Sequence, residues 1–448
     1  MSVMNDKFHY ECTDCGAAYD AGSVMYLCPA CEKENIKDQP IKGVLRTVYD
    51  FSRILKKFRA DNVYNQLSKE SFLSVLPLRD ENCLPRLKIG DTPLYRIDPE
   101  IFERPNQIER NLESGHRNRF SDNRRKPEKS LNFNLFIKDD SQNPTFSFKD
   151  RASALVSAWA KEHGIMTIVA ASTGNAGSSI AGICASQGQH AVIVAPAKAP
   201  MVKLTQIMVY GATLIPVDGA YDDAFDLSRG LTQRFGWYNR NTAFNPITIE
   251  GKKGVAWELY GQLGRQVPDR IFIPVGDGVI YSGVAKGFED LMNLGITDRM
   301  PALVAVQSEK SANLIRNLER PRFISKPART FADSIRVNIP RNFNMARQYM
   351  HQYNGESILV TDDEIRKAIL VLARRTGIFS EPAAAAAFAG LFKYRELGLI
   401  PGNSTNVVLL TGSGLKDINP IKSRLSIPQP VEPTSGAIER YLEKWLNA

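Results

Sequence analysis

Thr167-Ile168-Val169-Ala170-Ala171-Ser172-Thr173-Gly174-Asn175-Ala176-Gly177 begins as a short apolar run, breaks into a glycine-bearing turn and continues as a helical pattern to Gln187. Thr167 to Ala171 reads as a strand, and Gly177 to Gln187 as a helix. Where a strand hands over to a helix, unpaired backbone N–H groups and the positive end of the helix dipole point the same way. Ser172 to Gly177 therefore has the makings of an anion site.

The alternation repeats on both sides. Leu131 to Ile137, Ala191 to Ala195, Thr213 to Val217, Arg270 to Val275, Ala302 to Val306 and Asn406 to Leu410 read as further strands. Helical patterns at Ala152 to His163 and Lys203 to Tyr210 lie between them, and Gly188 and Gly211 fit helix ends. Such βαβ order predicts an α/β fold with mostly parallel sheet. Two more glycine-rich turns follow strands: Gly276-Asp277-Gly278 and Thr411-Gly412-Ser413-Gly414. In open α/β sheets ligands sit beyond the carboxyl ends of strands, so three such turns mark one binding region.

The 448 residues are 43% hydrophobic and 23% charged, a globular mixture long enough for two or three packed units. Met1 to Tyr10 lacks an apolar core flanked by basic residues, and no run approaches the ~18 apolar residues that span a bilayer. The expectation is a cytoplasmic chain without a membrane partner. Net charge is +9, and part of the excess sits in His116 to Lys129, with Arg117, Arg119, Arg124, Arg125, Lys126 and Lys129. That run reads as a solvated loop rather than a nucleic-acid patch, and the remaining charge suits an anionic cofactor and substrate.

Cys12, Cys15, Cys28 and Cys31 form two Cys-x2-Cys pairs separated by twelve residues. Each pair fits a tight knuckle, and two knuckles complete a tetrahedral four-thiolate zinc site with no open position, which is structural rather than catalytic. The expected order along the chain is a zinc-ribbon-like unit over 1–40, a helical arm over 41–85 and a tail over 421–448. Between the arm and the tail, a smaller α/β domain over 152–250 is inserted between two parts, 86–151 and 251–420, of a larger cofactor-binding domain.

Asn143-Pro144-Thr145-Phe146-Ser147-Phe148-Lys149-Asp150-Arg151 resembles the lysine motif of threonine synthases and their relatives, the fold type II pyridoxal phosphate enzymes of the tryptophan synthase β family. The resemblance continues through Ala171 to Asn175, Ile249 to Lys253, Pro274 to Gly278, Ser380-Glu381-Pro382-Ala383 and Leu410 to Asp417, in the family's order over roughly residues 85 to 420. It implies two open twisted-sheet α/β domains with pyridoxal 5'-phosphate between them. It also implies that Lys149 forms the Schiff base, that Ser172 and Thr173 hold the substrate carboxylate, and that Asn175 faces the cofactor's phenolic oxygen. Gly276, Asp277, Gly278, Val279 and Ile280 would cradle the cofactor phosphate, with Asp277 turned away, for instance towards Lys286. Thr411 would meet the pyridine nitrogen, and a hydroxyl there can donate to an unprotonated ring.

The implied reaction is that of a threonine synthase, converting O-phospho-L-homoserine and water to L-threonine and phosphate. The amino-acid substrate is the expected partner, and a homodimer is one option for the assembly. Some threonine synthases also begin with a zinc ribbon. Three departures stand out. Many relatives carry an arginine for the substrate phosphate where this chain has Thr248, a hydroxyl residue where it has Ala243, and glycine where it has Phe146. Lys252 and Lys253 are the nearest replacement cations. The alternatives are a β-eliminating or β-replacing enzyme, such as a serine/threonine dehydratase or a phosphoserine-using synthase, and a zinc-ribbon regulatory or nucleic-acid-binding protein on a degenerate enzyme fold. The five histidines lack metal spacing, and neither a Walker loop nor a Gly-x-Ser-x-Gly elbow occurs.

Overall fold

Three sheets organise the chain in a computed structural model that describes residues 7–21, 26–102, 132–199, 201–219, 221–422, 425 and 429–446. The basic run at 116–129 lies outside the described residues. Strands β1 (Phe8–Cys12), β2 (Ala18–Asp20) and β3 (Leu45–Tyr49) form an antiparallel sheet in the order β2-β1-β3. The helical reading of the arm is thus corrected at Leu45–Tyr49. There Leu45, Thr47 and Tyr49 are buried and alternate with half-exposed Arg46 and Val48, a period of two that mixed apolar spacing had disguised.

The largest sheet holds β4 (Leu94–Ile97), β5 (Asn134–Asp139), β10 (Arg270–Pro274), β11 (Ala302–Ser308), β12 (Glu356–Val360) and β13 (Thr405–Leu410), in the order β12-β11-β10-β13-β5-β4. All neighbours run parallel except the β4–β5 edge pair. The second sheet, also parallel, orders β6 (Thr167–Ala171), β7 (His190–Pro196), β8 (Thr213–Val217) and β9 (Tyr238–Asn239) as β8-β7-β6-β9. Central strands such as Ile271-Phe272-Ile273 and Val192-Ile193-Val194 are buried on both faces, as parallel strands covered by helices must be.

The helices that build the site are α1 (Lys149–Glu162), α2 (Asn175–Gln187), α3 (Tyr221–Phe235), α4 (Ile247–Gln262), α5 (Val279–Asn293), α6 (Phe343–Gln352) and α7 (Pro382–Glu396). Helix α4 packs between α1 and α5. Gly287 lets α5 approach so closely that a side chain there would collide with the Lys253 carbonyl and the Ala256 methyl. Among the described residues, no helix is long and apolar enough to cross a membrane.

Candidate functional site

A cleft of 410 Å³ opens where the turns after β6, β10 and β13 face one another, with Lys149 at the start of α1 beneath them. The three turns that the sequence singled out therefore meet. The lysine loop is stitched to the last turn by backbone bonds: Phe148 N–H donates to the Thr411 carbonyl at 2.9 Å, and Ser413 N–H to the Phe146 carbonyl at 3.1 Å. Glu381 N–H donates to the Gly412 carbonyl at 2.9 Å, which brings the start of α7 to the same place.

Lys149 lines the cleft, and its amine has no hydrogen bond or ion pair among the described residues. The neighbouring carboxylate of Asp150 is occupied otherwise, accepting from Thr145 N–H at 2.7 Å and from its hydroxyl at 2.5 Å. Burial is the main reason that the Lys149 amine titrates below an ordinary lysine. Glu381 and Asp277 oppose that shift, while Arg240 adds to it. A lysine held this way is closer to a free amine, the form that attacks a carbonyl.

Ser172, Thr173 and Asn175 line one wall at the N-terminus of α2. Asn175 Nδ2 donates to Glu381 Oε2 at 2.8 Å, so the amide is braced by a buried carboxylate that sequence reading quoted without giving it a role. Gly276, Asp277, Gly278, Val279 and Ile280 line the opposite wall at the N-terminus of α5. Gly278 has φ +87°, and a Cβ there would stand 2.9 Å from that of Ala346 and 3.0 Å from Leu314 Cδ1. Only glycine turns the chain there without strain while leaving the α5 amides open to an anion. Thr411 is buried and lines the floor.

Several site expectations need correction. Lys286 pairs with Asp290, not Asp277, and Asp277 Oδ1 accepts instead from Arg341 N–H at 3.0 Å. Lys252 lines the cleft, but Lys253 does not. Lys253 is fully buried behind it, 2.5 Å from Glu250 and 2.7 Å from Asp290, with its amine over the rings of Tyr49 and Trp257. Lys253 points instead into the junction of α4 and α5, where Glu250 and Asp290 hold it. Phe146 does not crowd Lys149. It takes the left-handed φ of +66° suited to glycine, and its side chain is half exposed and outside the cleft. Thr248 and Ala243 also stay outside the cleft, and the Thr248 hydroxyl donates to the Asn245 carbonyl at 2.7 Å.

Sequence reading missed Arg240, which follows β9 and lines the cleft while 1% exposed. A lone arginine after a two-residue strand carries no recognisable spacing, and only the convergence of β6 and β9 reveals it. Arg341, paired with Asp222, bridges the two walls near the mouth. A second cavity of 580 Å³ lies behind α1 and α4, where Arg151 and Glu258 are already paired with each other.

Comparisons with known proteins agree with this geometry. The family model described as pyridoxal-phosphate dependent enzyme matches residues 123–412. The chain is 32% identical over 439 residues to a threonine synthase of Methanocaldococcus jannaschii, covering 97% of this chain and 99% of that one. It is 32% identical over 440 residues to a threonine synthase of Methanosarcina acetivorans, covering 97% and 98%. Among solved structures it resembles a T.th. threonine deaminase, with 26% identity and a TM-score of 0.54 over 62% of this chain and 87% of that one.

Proposed function

The chain belongs to the pyridoxal-phosphate dependent enzymes, in the family of the threonine synthases, and from that membership we propose that it converts O-phospho-L-homoserine and water to L-threonine and phosphate. The observation that carries this reading is Lys149, a lysine unpartnered among the described residues, in a cleft lined by the N-termini of α2 and α5.

The residues fit the cofactor. The amides at Gly276 to Ile280 offer a phosphate seat at the head of α5, and Thr411 offers a hydroxyl at the floor. When bound, pyridoxal phosphate supplies an electron sink for charge developing on the substrate carbons. Ser172 and Thr173, at the head of α2, hold the substrate carboxylate. Lys149, its proton affinity lowered by burial, takes protons from the α- and β-carbons. It returns them to the γ-carbon, which becomes the methyl group as phosphate leaves, and to the α-carbon after water adds at the β-carbon. Closure of the two walls around the cleft, across the Arg341–Asp222 pair, would exclude water until it is needed.

The four cysteines support a structural zinc at Cys12, Cys15, Cys28 and Cys31. Their sulfurs all lie within 4.8 Å of one another, with Cys12–Cys31 at 3.8 Å and Cys15–Cys28 at 3.7 Å. A tetrahedron with Zn–S bonds of about 2.3 Å has edges of about 3.8 Å. Four thiols kept for a metal also suit a reducing, cytoplasmic compartment.

A β-eliminating or β-replacing reaction on a shorter phosphorylated amino acid is the second reading, favoured by Thr248 standing outside the cleft. One assay separates the two. Purified enzyme given O-phosphohomoserine should release phosphate and threonine in equal amounts. Yellow, folded protein that makes no threonine from it would refute the first reading.

A further inference from the structure

Arg240 is a buried cation without a counter-ion among the described residues. Its backbone N–H donates to the Val169 carbonyl at 2.8 Å, which pins it beside the central strand β6. Nε donates to Ser153 Oγ at 3.2 Å and Nη1 to Thr242 Oγ1 at 3.1 Å, both neutral partners. Nη2 is buried with no hydrogen-bond partner, and no carboxylate contacts the guanidinium among the described residues. Holding a charge this way is costly unless an anion arrives to balance it. Burial, as the main cause, draws its pKa down to about 10, yet it stays charged at neutral pH.

Lys252 stands in the same cleft, and its charged form is disfavoured as well. Burial is the largest cause at Lys252, with Arg240 next. The Lys252 amine donates once, to the Thr248 carbonyl at 2.9 Å, which leaves donors to spare. Elsewhere in the cleft, Arg341 and Arg336 are paired with Asp222 and Asp333.

We infer that Arg240 and Lys252 together seat the dianionic tail of the substrate. The assignment rests on the proposed reaction. Cofactor phosphate, substrate carboxylate and substrate phosphate must all be accommodated. The head of α5 is suited to the first and the head of α2 to the second. The seat between them, on the β9–α4 side, is left for the leaving phosphate. Arg240 supplies the fork and Lys252 the point charge, a pair that favours a dianion over a neutral or singly charged tail.

The test uses holoenzyme carrying Arg240→Gln, Arg240→Lys and Lys252→Gln. Inorganic phosphate binding is followed by calorimetry, alongside cofactor affinity and the Michaelis constant for O-phosphohomoserine. Loss of a charge-assisted pair should weaken phosphate binding about 10- to 100-fold and raise the Michaelis constant in parallel, with cofactor affinity within about twofold of wild type and R240K in between. If R240Q does not fold, R240K and K252Q must still show the loss. Unchanged phosphate binding in folded variants would overturn the inference, as would loss of cofactor in place of loss of phosphate. Because phosphate binding needs no turnover, a wild type that binds phosphate through these residues but makes no threonine would count against the reaction, not against the seat.

Discussion

The Tyr49 hydroxyl, at the end of strand β3 in the N-terminal sheet, donates a 2.6 Å hydrogen bond to Glu250 Oε2 in α4. Glu250 is two residues before Lys252 and ion-paired to Lys253, which reaches Asp290 in α5. The N-terminal sheet is thereby plugged into the junction of the two helices that present Lys252 and the glycine turn. Tyr26 strengthens the attachment, stacking on Phe244 at 4.6 Å and accepting from Asn239 N–H at 3.1 Å, next to Arg240.

Breaking this plug should cost stability. Tyr49→Phe removes one buried bond to a charged group, about 1.5–3 kcal/mol. Lys253→Met takes a cation away from two buried carboxylates, about 3–5 kcal/mol. Urea unfolding of both variants checks this. In folded K253M the Michaelis constant for O-phosphohomoserine should stay at the wild-type value, the opposite of what K252Q shows.

The proposed zinc site is tested separately. Purified protein should hold one zinc per chain, and Cys28→Ser with Cys31→Ser should release it and lower the melting temperature, since ribbons fold around their metal. Metal analysis finding none, in protein made without chelator and with all four thiols titratable, would contradict it.

Lys149 and Lys252 both titrate below ordinary lysine, chiefly through burial. Between their folded values and the ordinary value near 10.4, the unfolded chain binds more protons than the folded one. Stability of cofactor-free protein should therefore rise with pH across that window. Lys252→Met should reduce the slope by up to about 1.4 kcal/mol per pH unit. An unchanged slope, measured by denaturant titration at several pH values, would mean that Lys252 is not held as described.

Gly278→Ala places a Cβ 2.9 Å from that of Ala346 at a left-handed φ. It should cost about 1–3 kcal/mol and weaken cofactor retention, readable as loss of yellow colour on dialysis. Full retention would place the phosphate elsewhere.

Much of this was legible in the chain itself, for physical reasons. Parallel strands such as Val192-Ile193-Val194 are apolar on both faces and stand out as runs, and the turns after β6, β10 and β13 announce themselves by glycine. The edge strands were not legible. Leu94–Ile97 exposes two of its four residues, and Glu356–Val360 buries only its last, so neither shows a clean pattern. Lys253 is drawn out of the cleft by Asp290, 37 positions away, so nothing local separates it from Lys252. Glu381 and Arg240 act through contacts with residues 206 positions away and 87 positions away, at Asn175 and Ser153, which no local pattern encodes.

Two lysines with lowered proton affinity, half-buried Lys149 and fully buried Lys252, line the same cleft, so the most direct test asks which one carries the cofactor. Borohydride reduction of the yellow holoenzyme, followed by peptide mass analysis, should place the pyridoxyl group on the peptide containing Lys149, and Lys149→Ala should abolish both the label and turnover. A label on Lys252, or on any other lysine of the wild-type protein, would contradict the account.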